Sequence, residues 1–282
     1  MATRSEVTSD GSSGGNFGLD VKSEVDPLHL YRPINDATHT TLVGGKVSVL
    51  KDQGRSGTLR DLSQAVDANR FTHGVDANGK DFMQSSAETI WLDAVAAVDW
   101  EFMHNPLGLG GTIAGVIEVT SEAGLNTLLS TGASTSDVGI FFLLSGSDGT
   151  RYSVNSGGGP GTESLKMDVG VLNNGATPAI FSFLCRHRDS AASNGTNEGF
   201  QVDATVSLNG VELLRAQPKD AAFTAGSPSA PLRLGAVEGT GTIGIRGKVY
   251  EIVLDNRWWS DDLVNRYHRQ AAIEYGAGNM IR

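Results

Sequence analysis

Short alternating runs of apolar and polar residues dominate the chain from Leu28 to Leu254. Leu28-His29-Leu30-Tyr31, Lys46-Val47-Ser48-Val49-Leu50 and Val98-Asp99-Trp100-Glu101-Phe102-Met103 repeat with period two, the spacing of a strand that buries one face. β-Branched and aromatic runs predict further strands at 112–119, 138–145, 151–155, 167–172, 178–186, 199–207, 211–215, 231–235 and 247–254. Turn signals separate them, such as Ser147-Asp148-Gly149 and Asn173-Asn174-Gly175. The clearest hairpin is Ser207-Leu208-Asn209-Gly210-Val211-Glu212. Two helices stand out. One is a short turn near 120–130, around Ser121-Glu122-Ala123-Gly124-Leu125. The other starts at Ser260 as N-cap, with Asp261 and Asp262 meeting the helix dipole. Leu263, Tyr267 and Ala271 recur along it every four residues, and Gly276 follows as a stop. About a dozen short strands with no break in composition predict one all-β sandwich.

Composition sharpens this picture at the N-terminus. Residues 1–26 are polar, with Asp10-Gly11-Ser12-Ser13-Gly14-Gly15-Asn16 at their centre, and read as a flexible Gly/Ser-rich arm ahead of a domain at 27–282. Such an arm is a floppy tail or a strap that folds onto a neighbouring subunit, and composition alone does not separate the two. Glycine makes up 36 of 282 residues, about 13% against a usual ~7%. No G-X-Y repeat accompanies it and there are only 8 prolines, so collagen is excluded. The remaining glycine belongs to turns and strand ends.

Charge and cysteine usage exclude several classes. The 22 basic and 32 acidic residues leave a formal charge of −10, which repels phosphate backbones and argues against nucleic-acid binding. The single cysteine, Cys185, allows no intrachain disulfide, and its apolar surroundings (Ala179 to Leu184) make it a core residue. A dyad with His187, two residues on, is the alternative, but no acid or orienting partner accompanies it. The segment Met1-Ala2-Thr3-Arg4-Ser5-Glu6 has no apolar stretch behind it, which predicts no signal peptide and synthesis in the cytoplasm. The longest apolar run, Val138 to Leu144, is too short to span a bilayer.

The C-terminal pattern carries a resemblance. Pro231-Leu232-Arg233-Leu234-Gly235 is followed by a Gly-rich turn and by Arg246-Gly247-Lys248-Val249-Tyr250-Glu251-Ile252-Val253-Leu254-Asp255-Asn256-Arg257. A helix then closes on Glu274-Tyr275-Gly276. This resembles the end of the laminin-G-like, concanavalin A-like jelly-roll modules of bacterial and phage proteins. Those modules end on a strand of the form G-x-I-x-E-I-x-I-Y-N-R, then L-S-D-x-E and a helix closing on K-Y-G. Val47 to Gly57 is similar to their V-x-x-W-x-D-x-S-G through Asp52, Ser56 and Gly57, with Leu50 at the tryptophan position and Gly54-Arg55 as an insertion. Arg70 to Asp81 is similar to R-P … N-G-K-P through Arg70, Asn78, Gly79 and Lys80, with Phe71 in place of proline. The likeness covers the two ends of 28–276. It implies two curved antiparallel sheets packed face to face, a concanavalin A-like sandwich with one C-terminal helix, and leaves function to a site.

Few candidate chemistries fit that frame. Glycanases of this superfamily carry Glu-x-Asp-x-x-Glu on one strand; here Glu24-Val25-Asp26 begins the pattern, but His29 stands at the second Glu. No catalytic set is therefore expected. Gly239-Thr240-Gly241-Thr242-Ile243-Gly244 spells a dinucleotide fingerprint, yet a strand rather than a helix follows it, so it reads as a turn. Asp76, Asn78 and Asp81 have calcium-like spacing, and Asp148 is a further loop carboxylate. Turn chemistry explains these four without a metal, and no cofactor is expected beyond that calcium candidate. The six histidines and one cysteine give no zinc pattern. In Trp258-Trp259 the second residue is expected to pack under the helix and Trp258 to face outward. There it would stack on a sugar ring or, as the alternative, lie over a neighbouring loop. Trp91 and Trp100 read as core.

A jelly roll with a docking arm, no catalytic set and no export signal predicts a virion structural or decoration protein of a phage. Its expected partners are other virion proteins, with homo-oligomer formation and no membrane insertion. The alternative is a host-surface carbohydrate-binding module of a tail or fibre, taking a cell-surface glycan at Trp258. An enzyme acting on polysaccharide is a distant third.

Overall fold

Seventeen strands and one α-helix lie among the residues that the computed structural model describes: 24–56, 60–87, 89–103, 110–119, 125–132, 139–145, 150–155, 163–167, 180–190, 199–208, 211–222, 228–237 and 244–275. The strands are β1 (His29–Tyr31), β2 (Thr40–Val43), β3 (Lys46–Leu50), β4 (Leu62–Ser63), β5 (Thr72–Val75), β6 (Asp81–Ser85), β7 (Leu92–Asp93), β8 (Gly111–Val119) and β9 (Leu125–Ser130). They continue as β10 (Gly139–Ser145), β11 (Thr150–Asn155), β12 (Glu163–Met167), β13 (Ile180–Ser190), β14 (Gly199–Leu208), β15 (Val211–Ala222), β16 (Arg233–Leu234) and β17 (Gly247–Asp255), followed by α1 (Asp261–Glu274).

Every pairing is antiparallel, and the ladder is continuous. It runs β15-β14-β13-β8-β17-β6 and turns through β5 into β3-β4-β7-β16-β9-β10-β11-β12. β1 adds to the edge of β17 beside β6, and β2 to β3. One curled sheet thus closes over itself into two layers, which is the sandwich that the C-terminal pattern implied. Its core takes Ile113, Ile117, Phe183, Val249, Ile252 and Leu254 from one layer, and Val47, Leu50, Leu62, Leu92, Leu128 and Leu234 from the other. Cys185 lies in this same cluster and is fully buried, so the core role expected of it holds.

Helix α1 covers the outer face of the first layer. Ser260 caps it by accepting from the Leu263 N–H, and Val264, Tyr267, Ala271 and Ala272 face the sheet. Two clusters form beneath it: Val25, Leu30, Ala114, Leu184, Val253, Trp259, Val264 and Tyr267 at one end, and Phe82, Val116, Tyr250, Ala271 and Tyr275 at the other. Trp259 therefore packs under the helix as the sequence predicts. Val25 is only 4% exposed, so Glu24 to Asp26, placed by composition in the arm, belong to the packed body. No described helix is long and apolar enough to cross a membrane.

Four expectations change. Val98 to Met103 forms part of a 3-10 helix over Ala97–Met103 rather than a strand. Trp100 and Met103, three apart, are its buried residues, whereas Val98 is exposed, so the core contacts follow period three instead of two. The short helix near 120–130 is replaced, over its described part, by strand β9, and 120–124 lie outside the described residues. The strand expected at 167–172 ends at Met167, the last residue of β12, and 168–172 lie outside the described residues. Trp91 is half-buried rather than core: its indole N–H donates to Asp93 (3.0 Å) and the Arg233 guanidinium lies 4.8 Å over its ring. Leu208↔Val211 and Ser207↔Glu212 pair on either side of the predicted hairpin turn, whose Asn209 and Gly210 lie outside the described residues.

Candidate functional site at the C-terminal end of the helix

One irregularity in β17 builds the site. Val249 and Ile252 both point into the core, although they are three positions apart, because the pairing with β8 slips between Val249 and Glu251. The extra residue places Tyr250 and Glu251 together on the helix side. Such bulges re-aim side chains at a cost in ladder regularity. Gly115 of β8 lies against this turn: a Cβ there would stand 2.8 Å from the Glu251 carbonyl oxygen and 2.6 Å from the Phe183 ring.

Glu251 is 2% exposed, and its partners explain how a carboxylate is tolerated there. Its Oε2 accepts from Arg32 Nε at 2.5 Å and from the Tyr275 hydroxyl at 3.1 Å, and its Oε1 accepts from the Tyr267 hydroxyl at 3.1 Å. Burial works against the Arg32 charge, but Glu251 more than offsets it and holds the guanidinium above its ordinary pKa. Burial, and then the Glu251 charge, push the hydroxyls of Tyr267 and Tyr275 well above the tyrosine range, so both remain donors. Strand β1, the central strand and the helix are thereby tied at one point.

Arg32 follows β1 directly, and β1 is fixed by Asp52 of the quoted N-terminal motif. The Oδ1 of Asp52 accepts from the N–H groups of Leu30 (3.2 Å) and Gly54 (2.9 Å), and its Oδ2 accepts from Ser56 (3.1 Å) and lies 2.7 Å from His29 Nδ1. Burial pushes this carboxyl up, but the His29 hydrogen bond, its charge and the two N–H donors hold it below the usual carboxylate range. Gly54 lies against Leu28 so closely that a Cβ would come within 2.6 Å of His29 Cα. Gly54 and Arg55 look like an insertion in sequence, yet they form this contact, and Arg55 reaches Asp255 at 3.0 Å. Leu50, at the tryptophan position, is fully buried.

Above the Glu251 node opens a cleft of about 230 Å³, lined by Arg32, Ile34, Lys80, Tyr250, Glu274 and Tyr275, with Pro33, Gly79 and Asp81 completing it. The Tyr250 and Tyr275 rings meet at 5.5 Å with a 59° tilt. The β5–β6 turn forms one wall, and its tip is set by Asp76, whose Oδ1 accepts from the N–H groups of Asn78 (2.8 Å) and Lys80 (2.9 Å), with Gly79 at φ +76°. Lys80 Nζ stands 3.7 Å from Glu274, and Asp81 lies 2.8 Å from His73 Nε2. The Tyr250 hydroxyl is buried without a hydrogen-bond partner, and burial, then Glu118 and Asp76, raise its pKa.

The residues singled out from sequence fall in three places. Asp76 and Asn78 build the turn, and Asp81 pairs with His73, while Asp148 lies outside the described residues. Among the described residues no three His, Cys, Asp or Glu side chains converge on a metal position. Trp258 is half-buried just ahead of α1, about 20 Å from the cleft by helix length. Arg186 lies 4.4 Å over its ring, donates to the Trp259 carbonyl at 2.6 Å and pairs with Asp261 at 2.7 Å. Glu24 pairs with Arg266, and His29 is buried beside Asp52, so the start of the glycanase-like pattern is not gathered on one strand face. Arg32, Lys80, Glu251 and Tyr275 carry no site signal in the sequence. Three of them stand inside the motif stretches N-G-K, x-E-I and the closing Y-G, where they mark the fold.

No protein-family model matches the chain, and no curated protein matches it. Among solved structures the chain is similar to the receptor binding domain of the botulinum neurotoxin C/D mosaic serotype, at 10% identity and a TM-score of 0.54, over 86% of this chain and 51% of that one. It is also similar to the CBM40 of the Ruminococcus gnavus IT-sialidase bound to α2,6-sialyllactose, at 16% identity and a TM-score of 0.38, over 57% of this chain and 83% of that one. A Trypanosoma rangeli sialidase in complex with the inhibitor DANA matches at 14% identity and a TM-score of 0.49, over 88% of this chain and 33% of that one. The chain spans about half of the neurotoxin domain, and that likeness is one of fold.

Proposed function

We propose that the chain is a non-catalytic carbohydrate-binding module, the alternative that the sequence raised. The observation that carries this is the cleft above Glu251. Two tyrosine rings and a charged rim of Arg32, Lys80, Asp81 and Glu274 meet in about 230 Å³. That is less than the roughly 300–1,000 Å³ of pockets that enclose drug-sized ligands, and suits one sugar ring. Hydroxyl groups need both donors and acceptors at the rim, and aromatic faces suit the C–H face of a ring. The site proposed is thus the cleft, and Trp258, with one face under Arg186, is a second contact at the other end of the helix.

A glycan array with the intact protein tests this. A hit is expected whose affinity falls roughly 10-fold in Lys80→Ala, the loss of one charge-assisted hydrogen bond. Trp258→Ala should weaken the same glycan less. A blank array overturns the proposal, and a hit insensitive to Lys80 but lost in Trp258→Ala moves the site to the other end of the helix.

Placement on a phage particle, with the arm docking on other virion proteins, is the second reading. It is favoured by the way the arm's root is held: the Val25 and Asp26 carbonyls accept from Arg257 at 2.7 and 3.0 Å, and Asp26 also from Arg55 at 2.7 Å. A root held at a fixed point on the body suits docking by the residues ahead of it. Loss of particle incorporation on deleting 1–23 is the expected result, and unchanged incorporation overturns it.

A further inference from the structure

The hydrogen-bonding groups of the cleft do not satisfy one another. Arg32 spends Nε on Glu251, and its Nη1 and Nη2 make no hydrogen bond to any described residue. The side chain is 17% exposed and lines the cleft. A guanidinium held by Nε still presents one N–H from each terminal nitrogen, side by side, the fork that matches the two oxygens of a carboxylate or sulfate. Glu251, beneath, fixes the direction of that fork and is itself occupied by the hydroxyls of Tyr267 and Tyr275. Lys80 Nζ adds a cation whose distance to Glu274, 3.7 Å, is too long for a hydrogen bond. Tyr250 lines the cleft, and its buried hydroxyl has no hydrogen-bond partner among the described residues. Of the rim acceptors, Asp81 has His73 at 2.8 Å, while Glu274 stands at the same 3.7 Å from Lys80. The donors left side by side are those of Arg32, and they suit an acceptor with two oxygens.

We propose, resting on the carbohydrate-binding reading, that the ligand of this cleft is an acidic sugar whose carboxylate or sulfate accepts from Nη1 and Nη2 of Arg32. Its ring lies over Tyr250 and Tyr275, and its hydroxyls meet Lys80 and Glu274. Recognition comes from the fork rather than from net charge, because the wall holds two cations and two carboxylates with a third beneath. Lysine cannot replace arginine in such a role, since its point charge has no paired donors.

Calorimetric titration of the intact protein separates the steps. The probes are glucuronate against glucose, galactose 6-sulfate against galactose, and inorganic sulfate alone. At least one acidic sugar should bind 10-fold or more tighter than its neutral counterpart, and sulfate alone should bind far more weakly. Arg32→Lys keeps a cation beside Glu251 and should erase most of the preference while the protein still melts cooperatively. If Arg32→Lys fails to fold, the pair Arg32→Gln with Glu251→Gln removes both buried charges and should give the same loss. Equal binding of acidic and neutral sugars overturns the acidic-ligand inference and leaves the carbohydrate module standing. Binding of sulfate with no gain from a sugar overturns the carbohydrate reading and keeps Arg32 as an anion site. No binding by any probe overturns the inference.

Discussion

Asp52 shows how a single buried carboxylate sets the position of residues far along the chain. It is fully buried, and its two oxygens serve His29, Leu30, Gly54 and Ser56, so the edge strand that presents Arg32 depends on its charge. Its pKa in the folded protein is depressed, so the stabilisation is complete above its unfolded value of about 3.9 and is lost as pH falls through the folded value. Exposed Asp36 adds to the same acid limb, because the Thr38 hydroxyl and His39 hold its carboxyl down to about 2. The clean test is therefore a difference between two proteins. Asp52→Asn should lower stability by about 1–3 kcal/mol at pH 7, the cost of breaking a buried charge-assisted hydrogen bond. The gap in melting temperature between variant and wild type should shrink as pH drops from 5 to 2. A gap independent of pH would show that the carboxylate charge contributes nothing.

At the scale of elements, the bulge in β17 separates what serves the fold from what serves the site. With Tyr250 removed, Val249 and Glu251 become neighbours with strict alternation, and Ile252 and Leu254 still face the core. Deleting Tyr250 should therefore leave a folded sandwich, destabilised by about 3–5 kcal/mol for a lost buried aromatic, with the sugar affinity of the cleft abolished. Deleting Val253 instead would reverse the faces of the residues on one side of it and should prevent folding. Circular dichroism and thermal melting distinguish the two, and loss of folding in both would make the bulge structural. This irregularity was not legible in sequence, since Val249 to Leu254 is apolar except at Glu251 and gives no alternation to break. The helix was legible because Ser260, the two aspartates and the four-residue repeat all act locally. Short strands such as β4 and β7, two residues each, exist only through their partners and leave no periodic mark. In the same way Val98 to Met103 alternates on paper, but Trp100 finds its place against the His29 ring at 4.8 Å, a contact made across the chain.

For the whole molecule, the N-terminal and C-terminal segments close on the same side of the first layer, and the site lies where they meet. Arg32 directly follows the first described strand, Lys80 comes from the β5–β6 turn, Glu251 from the last strand, and Glu274 and Tyr275 from the end of the helix and its cap. The cleft is therefore assembled only in the complete sandwich, which is why its residues stand far apart in sequence and no local motif collects them. At the other end of the helix, Val25 enters the cluster of Leu30, Trp259 and Tyr267, and Glu24 pairs with Arg266. The packed body consequently includes Glu24 to Asp26, which polarity alone places in the arm. Two truncations test this. Removing 1–26 should cost about 1.5–3 kcal/mol more than removing 1–23, because the buried Val25 side chain is lost only in the longer deletion. That difference corresponds to roughly 3–12 °C in melting temperature for a domain of this size. The shorter truncation should bind sugar as the full chain does, since among the described residues none of the cleft lies before Arg32. Equal melting of the two truncations would mean that Val25 and the Arg257 contacts contribute nothing to the body, and would return the boundary to residue 26.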